Sequence, residues 1–61
     1  MEIPVQVNGR LRGHLLAAPS ISEAEALSQA QRDARVAAHL RGRAIRKTIY
    51  LPGKLLNIVL G

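Results

Sequence analysis

Two strand–turn–strand patterns, one at each end of this chain, enclose a stretch with helical character. The first covers about residues 3–17 and contains the turn dipeptide Asn8-Gly9, and the second covers about residues 43–60 and contains Pro52-Gly53. The stretch 22–40 between them is rich in Ala, Leu, Gln and Arg. This order predicts an α+β fold, in which a small four-stranded sheet of β-β-α(α)-β-β order has its helices packed on one face.

Apolar alternation sets the predicted register of the first hairpin. A two-residue turn at Asn8-Gly9 would place Val7 opposite Arg10 and would put arginines on the apolar face. We therefore predict a three-residue loop through Arg10, which pairs Val7 with Leu11. The same register pairs Ile3 with Leu15. The residues then assigned to the other face of the sheet are Gln6, Arg12 and His14.

The helical stretch has recognisable start, break and stop signals. Ser22-Glu23-Ala24-Glu25 is a capping box, and the polar Gln31-Arg32-Asp33 predicts a split into two helices. Gly42 is a suitable residue for the position after the last helical turn. The run 55–60 is apolar on both faces except for Asn57, which predicts a central strand. We expect Asn57 to bond to local backbone groups, with a hydrogen bond to a ligand as the alternative.

The length and the composition limit the classes of function. The chain has 61 residues and no cysteine, which predicts one domain over residues 1–61, no disulfide framework and a reducing, cytoplasmic setting. No apolar run is long enough to suggest a membrane span. Such a small domain has little room for a deep active site, and we expect no catalytic residue, no metal and no cofactor.

Positive charge is concentrated in the last third of the sequence. Residues 41–61 contain five cations and no acid, and this segment accounts numerically for the net charge of +5. A concentrated basic surface attracts phosphate backbones through counterion release. The sequence therefore predicts a nucleic-acid-binding surface, and the candidate contact residues are Arg10, Arg12, Arg43, Arg46, Lys47 and Lys54. Lys47 shares its strand parity with three apolar neighbours, Ile45, Ile49 and Leu51.

Other chemistry is poorly supported by the sequence. His14 and His39 fall on different predicted elements with no acidic or cysteine cluster near them, so neither completes a metal site. Tyr50 is the single aromatic residue, which is too few for an aromatic platform that stacks unpaired bases. Recognition of RNA by shape and by phosphate contacts is the expectation that remains.

Two separated motifs resemble the C-terminal domain of bacterial leucyl-tRNA synthetases. The first is Val5-Gln6-Val7-Asn8-Gly9-Arg10-Leu11-Arg12, and the second runs from Arg46-Lys47-Thr48-Ile49-Tyr50-Leu51 through Pro52-Gly53-Lys54 to Val59. The resemblance implies a non-catalytic appendage of an ATP-dependent ligase. Its implied partners are leucine tRNA and the remainder of the synthetase chain, and we expect a monomer.

The resemblance also implies a mode of action. The domain would contact the outer corner of leucine tRNA, where the D and T loops meet, and would help to position the tRNA for aminoacylation and editing. By position in the motifs, Arg10, Arg12, Arg46, Lys47 and Lys54 match the basic residues of the family. His14 stands where many members have lysine.

Two other interpretations remain open on the residues alone. One is a free-standing basic protein that binds nucleic acid nonspecifically. The other is a protein-interaction module that uses an exposed sheet edge or the apolar strand 55–60, with the charges serving solubility.

Overall fold

Six regular elements follow one another in the predicted order. They are β1 (Glu2–Val7), β2 (Arg10–Leu16), α1 (Glu23–Arg32), α2 (Ala34–Leu40), β3 (Ile45–Leu51) and β4 (Leu55–Leu60). The structure, a computed structural model, describes all residues from 1 to 61. None of its helices has the length and apolar character needed to cross a membrane.

The four strands form one mixed sheet in the order β2-β1-β4-β3. The central pair β1 and β4 is parallel, whereas the outer pairs β1–β2 and β3–β4 are antiparallel. The predicted α+β class and the central position of β4 are both confirmed. The residues of β4 that face the helices are buried, and those on its other face, Leu55, Asn57 and Val59, are half-buried between the neighbouring strands.

The core lies between the helices and one face of the sheet. Alternate residues of the two central strands supply most of it, because successive side chains of a strand point to opposite faces. The buried apolar residues are Ile3, Val5, Val7, Leu15, Ala26, Ala30, Val36, Leu56, Ile58 and Leu60. The opposite face of the sheet carries no helix, and we call it the open face.

The first hairpin corrects one part of the predicted register. Asn8 and Gly9 both have positive φ, 52° and 81°, as a two-residue type I′ turn requires, and Val7 pairs with Arg10. The prediction that Val7 pairs with Leu11 is therefore wrong. The pairing of Ile3 with Leu15 is confirmed, because the register shifts by one residue at Arg12.

This shift is a β-bulge within β2 instead of a bulge in the turn. Leu11 pairs with Gln6 and Gly13 pairs with Val5, so Arg12 is the extra residue. Gly13 is buried opposite Val5, and a Cβ built on it would lie 2.9 Å from Cγ2 of Val36 in α2. The close approach of α2 to the sheet thus depends on a residue without a side chain at this point.

The helical stretch divides where the sequence predicts. The amide of Glu25 donates to Oγ of Ser22 at 3.2 Å, as the capping box predicts, and Oε1 of Glu25 reaches back to accept from the Ser22 hydroxyl at 3.0 Å instead of from the Ser22 backbone amide. Asp33 separates the two helices because its Oδ1 accepts hydrogen bonds from the amides of Arg35 and Val36 at the start of α2.

Two asparagines join the first turn to the end of β4. Oδ1 of Asn8 accepts a hydrogen bond from the amide of Leu60 at 2.8 Å, and Oδ1 of Asn57 accepts one from the amide of Gly9 at 3.0 Å. The amide of Asn8 also donates to the carbonyl oxygen of Ile58 at 2.9 Å. Asn57 thus bonds to a backbone group, but the expectation of a local partner is wrong, because Gly9 is 48 residues away in the sequence.

We expect Asn8→Ala to lower the free energy of unfolding by about 2 kcal/mol. The substitution leaves the half-buried Leu60 amide without its acceptor and places alanine in a left-handed backbone conformation. Asn8→Asp is the matched control, because aspartate keeps an acceptor and tolerates this conformation. Chemical denaturation of both variants is the measurement, and equal losses in the two would contradict the role of the hydrogen bond.

Candidate nucleic-acid interface

The candidate cations are placed by the directions of the strands. At the end of β1, Val7 pairs with Arg10 on one side and with Ile58 on the other, and Ile58 pairs with Thr48 near the start of β3. Arg10 and Thr48 thus lie in one row, three interstrand spacings or about 14 Å apart. Both edge strands therefore begin at the same end of the sheet.

Four of the six predicted site residues lie at this end. Arg10 is the first residue of β2, and Arg43 lies in the loop before β3, where its amide donates to the carbonyl oxygen of Leu40 at 3.2 Å. Arg46 and Lys47 are the second and third residues of β3. The side chains of all four residues are exposed. We call this group the basic end, and its members are Arg10, Arg43, Arg46 and Lys47.

A second bulge decides where Lys47 lies. Ile45 pairs with Leu60 and Lys47 pairs with Val59, so Arg46 is the extra residue and the strand parity changes there. Ile45 is consequently packed against the core, whereas Lys47 lies on the open face. Lys47 and Ile45 are two residues apart in the sequence but lie on opposite faces of the sheet. Lys47 and Ile49 lie on the same face.

Arginine occupies the bulged position in both edge strands. Arg12 is the extra residue of β2 and is half-buried, and Arg46 is the extra residue of β3 and is exposed. Bulges at sheet edges commonly redirect a side chain and interrupt pairing. The two bulges therefore free these arginines from the regular alternation of their strands.

Lys54 lies apart from the basic end. It follows Gly53, which has a φ of 71°, and its amide donates to the carbonyl oxygen of Leu51 at 2.9 Å, which closes the predicted turn. Because β4 runs parallel to β1, the turn between β3 and β4 lies at the opposite end of the sheet from Asn8-Gly9. The structure does not bring Lys54 together with the other candidates.

No acidic side chain is hydrogen-bonded to a member of the basic end. Glu2 pairs with Leu16 at the far end of the β1–β2 ladder, and Asp33 caps α2. The other two acids, Glu23 and Glu25, lie in the first turn of α1. None of the six candidate side chains donates a hydrogen bond within the chain, since the bonds from a cationic side chain are those of Arg32 to Ser28. The basic end is therefore free to bind external acceptors.

Sequence reasoning missed the apolar character of the open face beside these cations. Leu11 pairs with Gln6, Gln6 is level with Asn57, and Asn57 pairs with Ile49, which forms one row across all four strands. Leu11 is 55% exposed and Ile49 is 40% exposed. The predicted pairing with Val7 placed Leu11 in the core, whereas its actual pairing with Gln6 places it on the open face.

The other residues of possible functional interest lie outside the basic end or are engaged in the fold. Arg41, the residue after α2, is a further exposed cation and lies two residues before Arg43 in the sequence. Tyr50 donates from its hydroxyl to the carbonyl oxygen of Ile21 at 2.7 Å and packs against the core. His14 and His39 are exposed on β2 and α2. A shallow cleft of about 290 Å³ lies along α1, away from the basic end.

Comparisons with known proteins agree on one family. No protein-family model matches the chain. The chain is 48% identical over 61 residues to the leucine–tRNA ligase of Sorangium cellulosum, and 46% identical over 59 residues to that of Sodalis glossinidius. These matches cover 100% and 97% of this chain but only 7% of each relative.

A solved structure shows the same fold. In the crystal structure of the ternary complex of Agrobacterium radiobacter K84 agnB2 LeuRS with tRNA and LeuAMS, the matching region has a TM-score of 0.88 and 29% sequence identity. The match covers 98% of this chain and 8% of that synthetase chain.

Fold and surface together define a small α+β domain that has two helices on one face of a mixed sheet and a cluster of cations at one end. The chain is homologous to a short segment of leucine–tRNA ligase, and it spans about 7% of the length of the relatives that it matches.

Proposed function

We propose that this chain is the C-terminal tRNA-binding module of a leucyl-tRNA synthetase. It contacts the outer corner of leucine tRNA, where the D and T loops meet, and helps to position the tRNA for aminoacylation and editing. Two findings support the proposal. The basic end contains four exposed cations and no acid, and the chain is homologous to leucine–tRNA ligases, one of which was crystallised with tRNA. Catalysis belongs to other parts of such an enzyme.

The basic end supplies the main phosphate contacts in this proposal. Its members flank the sheet at a width of about 14 Å, so they can bind phosphates on separate strands of a folded RNA. Arg12 adds a contact along β2, and Lys54 adds one at the opposite end of the sheet. Phosphate contacts fix register and orientation without reading sequence, which suits a domain that positions a distant acceptor end.

A binding titration with competition tests this proposal. We expect the chain to bind leucine tRNA in preference to duplex DNA of equal charge, with log K falling against log salt at a slope of about −3.6 to −5.4 if four to six phosphates are contacted. The affinity of the 61-residue chain should be weak, because it lacks the effective concentration that a tether to a synthetase provides.

The competitors separate this proposal from the alternatives. Equal competition by duplex DNA would indicate a nonspecific polyanion site. Absence of RNA binding at 50 mM salt, together with self-association or capture of a protein, would contradict the proposal and favour an interaction module.

A further inference from the structure

The first turn contains a pair of residues that is prone to chemical change. In an Asn-Gly pair the backbone nitrogen of the glycine can attack the asparagine carboxamide, because glycine has no side chain to hinder the approach. Asn8 and Gly9 form such a pair, and both residues are exposed. In the hairpin the pair supplies the two positive φ values of the turn, and its chemical reactivity is a separate property.

The reaction converts the carboxamide to a carboxyl group and consumes water. The backbone nitrogen of Gly9 loses its proton and forms a bond to Cγ of Asn8, and the carboxamide nitrogen leaves as ammonia. The product is a succinimide ring that includes Cα, Cβ and Cγ of Asn8, its carbonyl carbon and the nitrogen of Gly9. Water then opens this ring at either carbonyl, which gives aspartate or isoaspartate at residue 8.

Hydrogen bonds to β4 hold both reacting groups in the folded chain. The amide of Gly9, which supplies the attacking nitrogen, donates to Oδ1 of Asn57 at 3.0 Å. The carboxamide under attack accepts a hydrogen bond at its Oδ1 from the amide of Leu60 at 2.8 Å. Because ring closure removes the proton of the Gly9 nitrogen and fixes the ψ torsion of Asn8, the hydrogen bond to Asn57 must break first.

The turn lies at the basic end, where a new negative charge has the largest effect. Arg10, a member of the basic end, pairs with Val7 across the turn. Conversion of Asn8 to aspartate or isoaspartate adds one negative charge and lowers the net charge from +5 to +4. The carboxylate would stand two residues before Arg10 in the sequence, on the surface that attracts phosphates.

We propose that Asn8 is a deamidation site and that Asn57 controls its rate through the hydrogen bond that it accepts from Gly9. The folded chain deamidates slowly, through brief local opening of the turn. A chain that has lost this hydrogen bond opens more often and deamidates faster. The site does not depend on the proposed function, whereas its effect on RNA binding does.

Asn57→Ala tests the control of the rate. We expect this variant to deamidate at residue 8 about fivefold faster than the unchanged chain in mildly alkaline buffer, because the Gly9 amide loses its acceptor. Mass spectrometry of the peptide that contains residue 8 detects the exchange of the carboxamide for a carboxyl group. The chain unfolded in urea should react more than about tenfold faster than the folded chain.

Two control variants separate the hydrogen bond from overall stability. Asn57→Asp keeps an acceptor for the Gly9 amide, so residue 8 should react at the rate of the unchanged chain. Ser22→Ala removes the N-cap of α1 and lowers stability far from the turn, and it should also keep that rate. Equal acceleration in Ser22→Ala and Asn57→Ala would show that global unfolding sets the rate, which would overturn the role of Asn57. Absence of reaction at residue 8 in the unfolded chain would overturn the site itself.

The effect on RNA binding is measured separately. Cation-exchange chromatography isolates the deamidated chain, and we expect it to bind leucine tRNA about threefold more weakly, since its new carboxylate repels phosphate. Equal binding by the deamidated and the unchanged chain would refute this effect. If the unchanged chain does not bind tRNA at all, the proposed function fails, whereas the mass measurement still decides the deamidation site.

Discussion

Gly13→Val should lower the free energy of unfolding by about 3 kcal/mol, a large part of the stability of so small a domain. A Cβ at this position would lie 2.9 Å from Cγ2 of Val36, so either α2 or β2 must shift. Gly13 is buried opposite Val5 in the core, where there is little space to absorb the added atoms. Chemical denaturation followed by circular dichroism is the measurement.

A double-mutant cycle shows whether the contact with Val36 is the cause. Val36→Ala alone should also destabilise the chain, because it leaves a cavity between α2 and the sheet. The double variant Gly13→Ala with Val36→Ala should lose at least about 1 kcal/mol less free energy of unfolding than the sum of the losses in the two single variants. The reason is that the methyl group added at Gly13 fills the space vacated at Val36. Strictly additive effects would show that the close approach of α2 is not what requires glycine.

Arg46→Gln combined with Lys47→Gln should weaken tRNA binding by about 50-fold at 100 mM salt and reduce the magnitude of the salt slope by about 1.8, if each side chain binds one phosphate. Both residues lie at the basic end and neither donates a hydrogen bond within the chain. Their substitution should therefore leave the fold intact. Titrations at several salt concentrations give both quantities.

The matched control removes two arginines from the helices. Arg32→Gln combined with Arg35→Gln changes the net charge from +5 to +3, the same change as the double substitution in β3. We expect this control to bind within about threefold of the unchanged chain, because α1 and α2 lie on the other side of the sheet from the open face. Equal losses in the two double variants would mean that net charge alone sets the affinity and that no localised surface exists.

Local signals predicted the elements well because their causes are local. The capping box at Ser22 and Glu25, the break at Asp33 and the turn at Gly53 each depend on hydrogen bonds or φ values within about three residues. The apolar run 55–60 likewise predicted a central strand, and β4 is central, with one face buried and the other half-buried. These features are confirmed in the structure.

Register and parity were harder to predict because bulges break the two-residue period. The extra residue Arg12 is accommodated where α2 packs on Gly13, a contact between residues 23 apart that no strand pattern contains. At Arg46 a second bulge sends Ile45 to the core and Lys47 to the open face. Both arginines appear in the sequence as regular strand residues, so only the pairing with neighbouring strands shows that they are not.

The sequence by itself determined the element order, the α+β class, the positions of the turns and caps, and the concentration of cations after Leu40, since each of these depends on neighbouring residues or on simple counting. The tertiary structure alone decided which cations share a surface. The parallel pairing of β1 with β4 separates Lys54 from the basic end by the length of the sheet, and it places Leu11 and Ile49 on the same uncovered face, one on each edge strand. Strand order is set by packing between segments that are distant in the sequence, so it cannot be predicted from local sequence patterns.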